Sequence, residues 1–283
     1  RQHSVRQSSD IRYLSHNRLQ SLQLSPQEIA GCIEHLLLGR KRQQVWNAPK
    51  AVITPPDGRY MMATLAAADD PPFLAVKALV LNPDNPKHGL ASINSLVTLL
   101  DSRSGLPLAV LDGNWITAVR TAGLSAVAAK RLARPDASIA AFIGCGVQAN
   151  SHLQAFAALF PLTCVRAYAR GASRENFCQN AEKLGLTATA CQTAEEAIRG
   201  ADLIVTSVTL SPQLTPFLDA RWLKPGTFVT MTDLAASWLP ESMVAFDRII
   251  VDDLEQEASM PKPLVDPALV RGDLTGLVAG DAA

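Results

Sequence analysis

One arginine sits where a helix would normally place an apolar residue. In the Ala-rich run Thr117–Lys130, Ile116 and Leu124 lie four positions either side of Arg120, with Val127 one turn further on. Those spacings put all four on one helical face. An unpaired guanidinium among apolar neighbours is costly, so Arg120 calls for an anion. A second stretch offers binding chemistry of another kind. The apolar run Ser138–Ile143 leads into Gly144-Cys145-Gly146-Val147-Gln148-Ala149 and then into a helical pattern. This is the G-x-G-x-x-A form of a dinucleotide-binding turn in its strand–turn–helix setting. Gly144 permits the tight turn, Gly146 lets backbone approach a pyrophosphate, and Ala149 lets helix pack closely on strand. The free N–H groups at the helix start then face the phosphates. Nothing in the sequence places a base beside Cys145, which reads as a loop filler and not a nucleophile.

The next strand, in "CVRAYARGASRENF", would end in a carboxylate if it bound the ribose hydroxyls of NAD. No Asp or Glu is there. Arg170, Ser173 and Arg174 are present instead, and two guanidiniums with a hydroxyl suit a 2′-phosphate. NADP(H) is therefore favoured over NAD(H), the competing reading being that both arginines are solvated surface groups. Thr206, Ser207 and Val208 end a later strand, "DLIVTSVTLS". They either line the nicotinamide side of the cofactor crevice or are strand core.

These residues need elements to hold them. Ser25-Pro26-Gln27-Glu28 forms a helix start with a capping box, and that helix runs to about Arg42. Strands follow at 45–54, 60–67, 73–81, 93–101 and 106–111, with Pro-Asp-Gly at 56–58 and Ser-Gly at 104–105 as hairpin turns. From Asn114 the pattern changes to a long helix ending near Ala133. Strands at 138–143, 164–169, 203–207, 228–232 and 248–251 then alternate with helices near 147–159, 173–184 and 194–199. Alternation of this kind builds a parallel sheet. The fold class expected is α/β: a Rossmann-type doubly wound parallel sheet plus a smaller mixed-sheet α+β substrate and dimerisation domain. The domains expected are 1–119, with 262–283 returning to it, and 120–261.

Composition excludes several functions. Lys+Arg and Asp+Glu are equal at 26 each, against the basic excess of a nucleic-acid binder. No apolar run reaches membrane-span length. The five cysteines are odd in number and never spaced CxxC, which fits a reducing cytoplasm and gives no zinc pattern. The histidines show no metal-ligand spacing, and His88 and His152 read as surface or helix residues. The polar, basic start "RQHSVRQSSD" has no apolar segment after it and reads as a loose tail.

Taken together, "DGNWITAVRTAGLSAVAAKRLARPD", "FIGCGVQANSHLQAF", "VLNPDNPKHGL", "DSRSGLPLAVLDG" and "GADLIVTSV…LKPGTFV" resemble the ornithine cyclodeaminase/mu-crystallin family, from about Ala48 to Gln256. The resemblance implies a Rossmann domain with a sheet domain that forms a homodimer. It implies an enzyme transferring hydride at the α-carbon of a small amino or imino acid: a ketimine reductase or amino-acid dehydrogenase. The alternatives are a cyclodeaminase that turns ornithine into proline and ammonia with NAD as catalytic cofactor, and a non-enzymatic NADPH or small-ligand binder. Residue by residue, it makes Arg120 the carboxylate-binding arginine, Lys77 the active-site lysine and Asp233 the catalytic aspartate. Lys50 falls where many members carry a second carboxylate-binding arginine, and Thr121 matches a threonine directed at the cofactor phosphates.

The residues themselves support these roles unequally. Lys77 interrupts the apolar run Phe73–Leu81, so it lies on a wet face or points into a site. Asp233 follows a parallel strand, where ligands gather in open sheets, or it caps a short helix. Thr121 fits an ordinary helix threonine equally well. Met62 lines the pocket or fills core. Lysine for arginine at position 50 replaces a bidentate fork with a point charge, which counts against ornithine as substrate. The chain stops at "LVAGDAA", where relatives continue with a segment covering the sheet domain. Either the native protein is longer or it lacks that cover.

Overall fold

A computed structural model describes residues 10–281, so the basic tail expected at the N-terminus lies almost wholly outside the described residues. The chain forms two compact units: residues 10–24 with His35–Thr117, and Ser25–Glu34 with 118–281.

The first unit is a seven-stranded mixed sheet. Its elements are β1 (Arg12–Leu14), α1 (His16–Ser21), the later part of α2 (Pro26–Lys41), β2 (Val45–Asn47), β3 (Ala51–Ile53), β4 (Tyr60–Ala68), β5 (Phe73–Leu81), β6 (Ile93–Asp101) and β7 (Pro107–Asp112). The order is β1-β7-β6-β5-β4-β2, with β3 also on β4. All pairs are antiparallel except β1 with β7. The single strand expected over 45–54 is two strands, both on β4, because Ala48-Pro49-Lys50 interrupts it and Pro49 has no N–H to donate. Both expected hairpin turns are present, with Gly58 at φ +86° and Gly105 at φ +77°. Register sets which side chains share a face. Thr64 pairs with Lys77 and Lys77 with Val97, while Met62 pairs with Val52 and Leu79. Residues directly opposite point the same way and alternate ones share a face, so Met62, Thr64, Lys77, Leu79 and Val97 project from one side.

At the end of β7 the chain turns into α3 (Gly113–Leu132), whose residues 113–117 cluster with the first unit and 118–132 with the second. The second unit continues with β8 (Ile139–Ile143), α4 (Val147–Leu159), β9 (Cys164–Tyr168), α5 (Ser173–Lys183), β10 (Thr187–Ala190), α6 (Ala194–Ile198), β11 (Leu203–Thr206) and β12 (Phe228–Met231). The five strands are all parallel, in the order β10-β9-β8-β11-β12. Both faces of this sheet are buried, as a crossover-connected parallel sheet requires. Phe142, Leu203 and Val205 face a core shared with Ala149, Phe156 and Phe177. Ala141, Ile143 and Ile204 face the other, with Ala197, Leu218 and Trp238. The capping box at the start of α2 is reciprocal: the Ser25 amide donates to the Glu28 carboxylate at 2.7 Å, and the Glu28 amide donates to Ser25 Oγ at 3.1 Å.

Two expectations change. Residues 248–251 do form a strand, β13 (Ile249–Val251), but it does not join the large sheet. After α7 (Leu254–Ser259) the chain returns as β14 (Val270–Asp273), which pairs with β13 in a separate two-stranded ladder, and ends in α8 (Leu274–Ala279). That pairing keeps residues after 262 with the second unit, where the sequence suggested a return to the first. Among the described residues, no helix is long and apolar enough to cross a membrane.

Candidate active site

In the second unit, the glycine turn follows β8, the central strand. Gly144 adopts φ +89°, and a Cβ there would lie 2.6 Å from the Ser207 carbonyl oxygen at the end of β11. Only glycine fits both the angle and the approach. Gly146 caps α4 with no side-chain hydrogen bond, and a Cβ on it would meet nothing within 4 Å. The first amides of a 13-residue helix are thus left without a side-chain cap beside open space, as anion binding requires. Val147, at the first helical position, is 70% exposed and its neighbour Gly146 is exposed too, so the turn is open to solvent at the helix start. Two polar atoms here are buried without a hydrogen-bond partner, Ser207 Oγ and Gln148 Oε1. Orphaned polar atoms flanking an uncapped helix start fit a polar ligand. Cys145 packs beneath the turn, and burial pushes its thiol up to about 12, so it is no thiolate nucleophile.

Asp233 follows β12 and is 2% exposed. Its carboxylate accepts from Thr206 Oγ1 at 3.1 Å, the Val208 amide at 3.3 Å and Ser237 Oγ at 2.8 Å. Trp238 Nε1 in turn donates to Thr206 Oγ1 at 3.3 Å. Burial raises the Asp233 pKa, against the lowering effect of those donors. The structure therefore brings Gly144, Ser207, Val208 and Asp233 together at adjoining strand ends.

Arg170 and Ser173, after β9, are exposed, and Ala172 caps α5 with no side-chain hydrogen bond. Arg174 differs from its neighbour. Its Nε and Nη2 donate to Glu175 at 3.1 and 2.8 Å, and its Nη1 to the Cys191 carbonyl at 3.1 Å. It is committed to tying the start of α5 to the end of β10.

Arg120 is exposed rather than buried in its stripe, of which Val127 is the fully buried member. The atoms packed round its guanidinium still lower its pKa, and the Asp252 carboxylate opposes that shift. Thr121 is half-buried beside Ala122, which packs in the same core as Cys145 and Ala149.

In the first unit, half-buried Lys77 donates from Nζ to Thr117 Oγ1 at 2.5 Å. Met62 shares its face, and Lys50, just before β3, is exposed.

A buried hydrogen-bonded chain runs through His152, which sequence reasoning missed. Its Nε2 lies 2.8 Å from Ser125 Oγ, which lies 2.7 Å from Thr230 Oγ1, and its Nδ1 lies 2.7 Å from the Gln148 carbonyl. A carbonyl only accepts, so Nδ1 carries the proton and Nε2 accepts from Ser125. This ties α3, α4 and β12 together. Ser237, which donates to Asp233, was likewise missed, and so was Thr117, whose partner Lys77 lies forty positions away in the chain.

A doubly wound parallel sheet with a glycine turn after its central strand defines a dinucleotide-binding α/β protein. More narrowly, the chain belongs to the ornithine cyclodeaminase/mu-crystallin family, whose model matches residues 13–239. It is 39% identical over 224 residues to a Δ1-pyrroline-2-carboxylate reductase of Bacillus cereus, covering 74% of this chain and 68% of that protein. The Thermococcus litoralis Δ1-pyrroline-2-carboxylate reductase in complex with NADH and L-proline superposes with TM-score 0.86 at 27% identity, covering 95% of this chain and 87% of that one. An archaeal alanine dehydrogenase dimer with bound NAD gives TM-score 0.82, also at 27% identity, covering 95% and 85%. The chain spans about half the length of several curated relatives it matches.

Proposed function

We propose that this protein is a nicotinamide-dependent oxidoreductase acting at the α-carbon of a small amino or imino acid, in the direction of a ketimine reductase or amino-acid dehydrogenase. The observation that carries the reading is the cradle at the ends of β8 and β11: the positive-φ Gly144 against Ser207, the uncapped start of α4, and the orphaned Ser207 Oγ and Gln148 Oε1. Gly144, Gly146 and the first amides of α4 would hold the pyrophosphate, with Thr121 beside them. When bound, the nicotinamide supplies or takes up the hydride.

The chain's own residues divide the remaining work. Arg120 binds the substrate α-carboxylate as a charged fork. Lys77 carries the proton exchanged with the substrate nitrogen, its side chain projecting from the sheet face beside Met62, Thr64, Leu79 and Val97. Asp233 has both oxygens engaged by three donors, so its part is to hold Thr206 and Val208 in place beside the nicotinamide. The second unit serves as the cofactor domain and the first as the substrate domain. NADP(H) is the preferred form, supported by the exposed Arg170 and Ser173, the open start of α5 and the lack of a carboxylate at the end of β9.

We also infer a homodimer. The sheet face opposite Lys77 exposes Tyr13, Trp46, Ile53, Leu65, Val80 and Leu96, at 63, 50, 66, 42, 39 and 47%. Along β4, β5 and β6 that face carries no charged side chain. An exposed apolar face of this kind suits a second copy of itself.

The test follows nicotinamide absorbance with NADPH or NADH and cyclic imino acids, or pyruvate with an amine. Oxidation of the reduced cofactor that depends on the imino acid is expected. Ammonia released from ornithine with no net change in nicotinamide would overturn the reading in favour of a cyclodeaminase.

A further inference from the structure

We propose that Thr117 is the positioning residue of Lys77, fixing the ammonium by a hydroxyl whose own proton is committed elsewhere; this rests on the reading that Lys77 carries the substrate proton. Lys77 Nζ donates to Thr117 Oγ1 at 2.5 Å, and Thr117 Oγ1 donates to the Gly113 carbonyl at 2.8 Å. A hydroxyl has one proton and two acceptor lone pairs. With the proton on Gly113, only lone pairs face the lysine. The hydroxyl is thereby held as an acceptor, and a charge-assisted bond to it is short and strong.

The backbone is built to hold this register. A Cβ on Gly113 would lie 2.3 Å from Ser95 Oγ and 2.7 Å from the Ser95 carbonyl carbon, so the first turn of α3 lies directly on β6. Ser95 Oγ also donates to Asn114 Oδ1 at 3.2 Å. Ser95 pairs with Leu79, two residues along β5 from Lys77 and on the same face. The docked turn therefore sets Thr117 over Lys77. A helical threonine bonding back to the carbonyl four residues earlier adds little to its helix, and can slightly destabilise it. Here that bond aims the lone pairs at the lysine instead.

Thr117→Val keeps the shape and removes the hydroxyl, Thr117→Ala removes it while favouring helix, and Thr117→Ser keeps it. Lys77→Met is the reference. Each is assayed for kcat, KM and NADPH affinity, with thermal melting to confirm folding. The valine and alanine variants are expected to lose roughly 10- to 100-fold in kcat, with NADPH affinity unchanged, and serine is expected to restore kcat. Should valine cost folding, the alanine and serine pair decides alone. Wild-type kcat in the hydroxyl-free variants, with Lys77→Met inactive, overturns the inference. So does a serine variant as impaired as alanine. Full activity in Lys77→Met would instead overturn the assignment of Lys77 itself.

Discussion

Gly144 and Ser207 meet so closely that a single added methyl on the glycine would fall 2.6 Å from the Ser207 carbonyl oxygen. This contact joins the turn after β8 to the end of β11, the two edges of the crevice where doubly wound sheets bind their ligands. Gly144→Ala must therefore move one edge and also hold alanine at φ +89°. The expected cost is about 1–2 kcal/mol from the backbone angle alone, together with weaker cofactor binding. Thermal melting and fluorescence titration with NADPH read the two effects. An alanine variant that binds NADPH like wild type would exclude this turn as the phosphate site.

Arg170 tests the choice of cofactor. It is exposed at the end of β9, whereas Arg174 is occupied by Glu175 and Cys191. Arg170→Ala should weaken NADPH by roughly tenfold or more, the loss of a charged hydrogen bond, and leave NADH nearly unchanged. Arg174→Ala should instead lower stability. Equal losses for the two cofactors in Arg170→Ala would reject the 2′-phosphate role.

Local chemistry made much of this legible. The capping box of α2, the glycine turn and the strands of the parallel sheet are written in short-range patterns that the fold keeps. What escaped depends on partners. β10 reads Thr-Ala-Thr-Ala, a mostly exposed edge strand with no apolar run. β13 looked like a fifth parallel strand because Ile-Ile-Val is apolar, yet its neighbour is the four-residue β14, which contains Gly272. In the site, Arg174 looked available because its sequence neighbours do not reveal the Cys191 carbonyl, seventeen positions away in the chain. Arg120 looked buried because its helical face is apolar, but a face is covered only where another element lies on it.

Arg120 remains the residue whose removal tests the substrate site most directly. It is exposed and has no role in the core, so Arg120→Ala should fold normally. Losing a charged fork on a carboxylate should lower kcat/KM by roughly 10- to 100-fold. Arg120→Lys should recover only part of this, since a point charge does not replace two parallel donors. The loss should appear for the carboxylate substrate while NADPH affinity stays fixed. Wild-type kcat/KM in Arg120→Ala would place the carboxylate elsewhere.

His152 predicts how stability responds to acid. It is fully buried, and burial lowers its pKa from 6.5 to about 4, with the bond to the Gln148 carbonyl acting the other way. The folded state therefore keeps the ring neutral over a range in which the unfolded chain protonates it. Where the unfolded state binds more protons, stability rises with pH. The contribution of His152 is complete above about pH 6.5 and declines as pH falls towards 4, by up to about 1.4 kcal/mol per pH unit. Protonation would also put a proton on Nε2, so that Ser125 would have to turn its hydroxyl from Nε2 towards Thr230 and accept from the ring. Chemical denaturation at a series of pH values should show this slope in the wild type. In His152→Asn, whose amide can still reach the Gln148 carbonyl, the slope between pH 6.5 and 4 should flatten although the variant is less stable at pH 7. An unchanged slope would mean that another group governs the acid response.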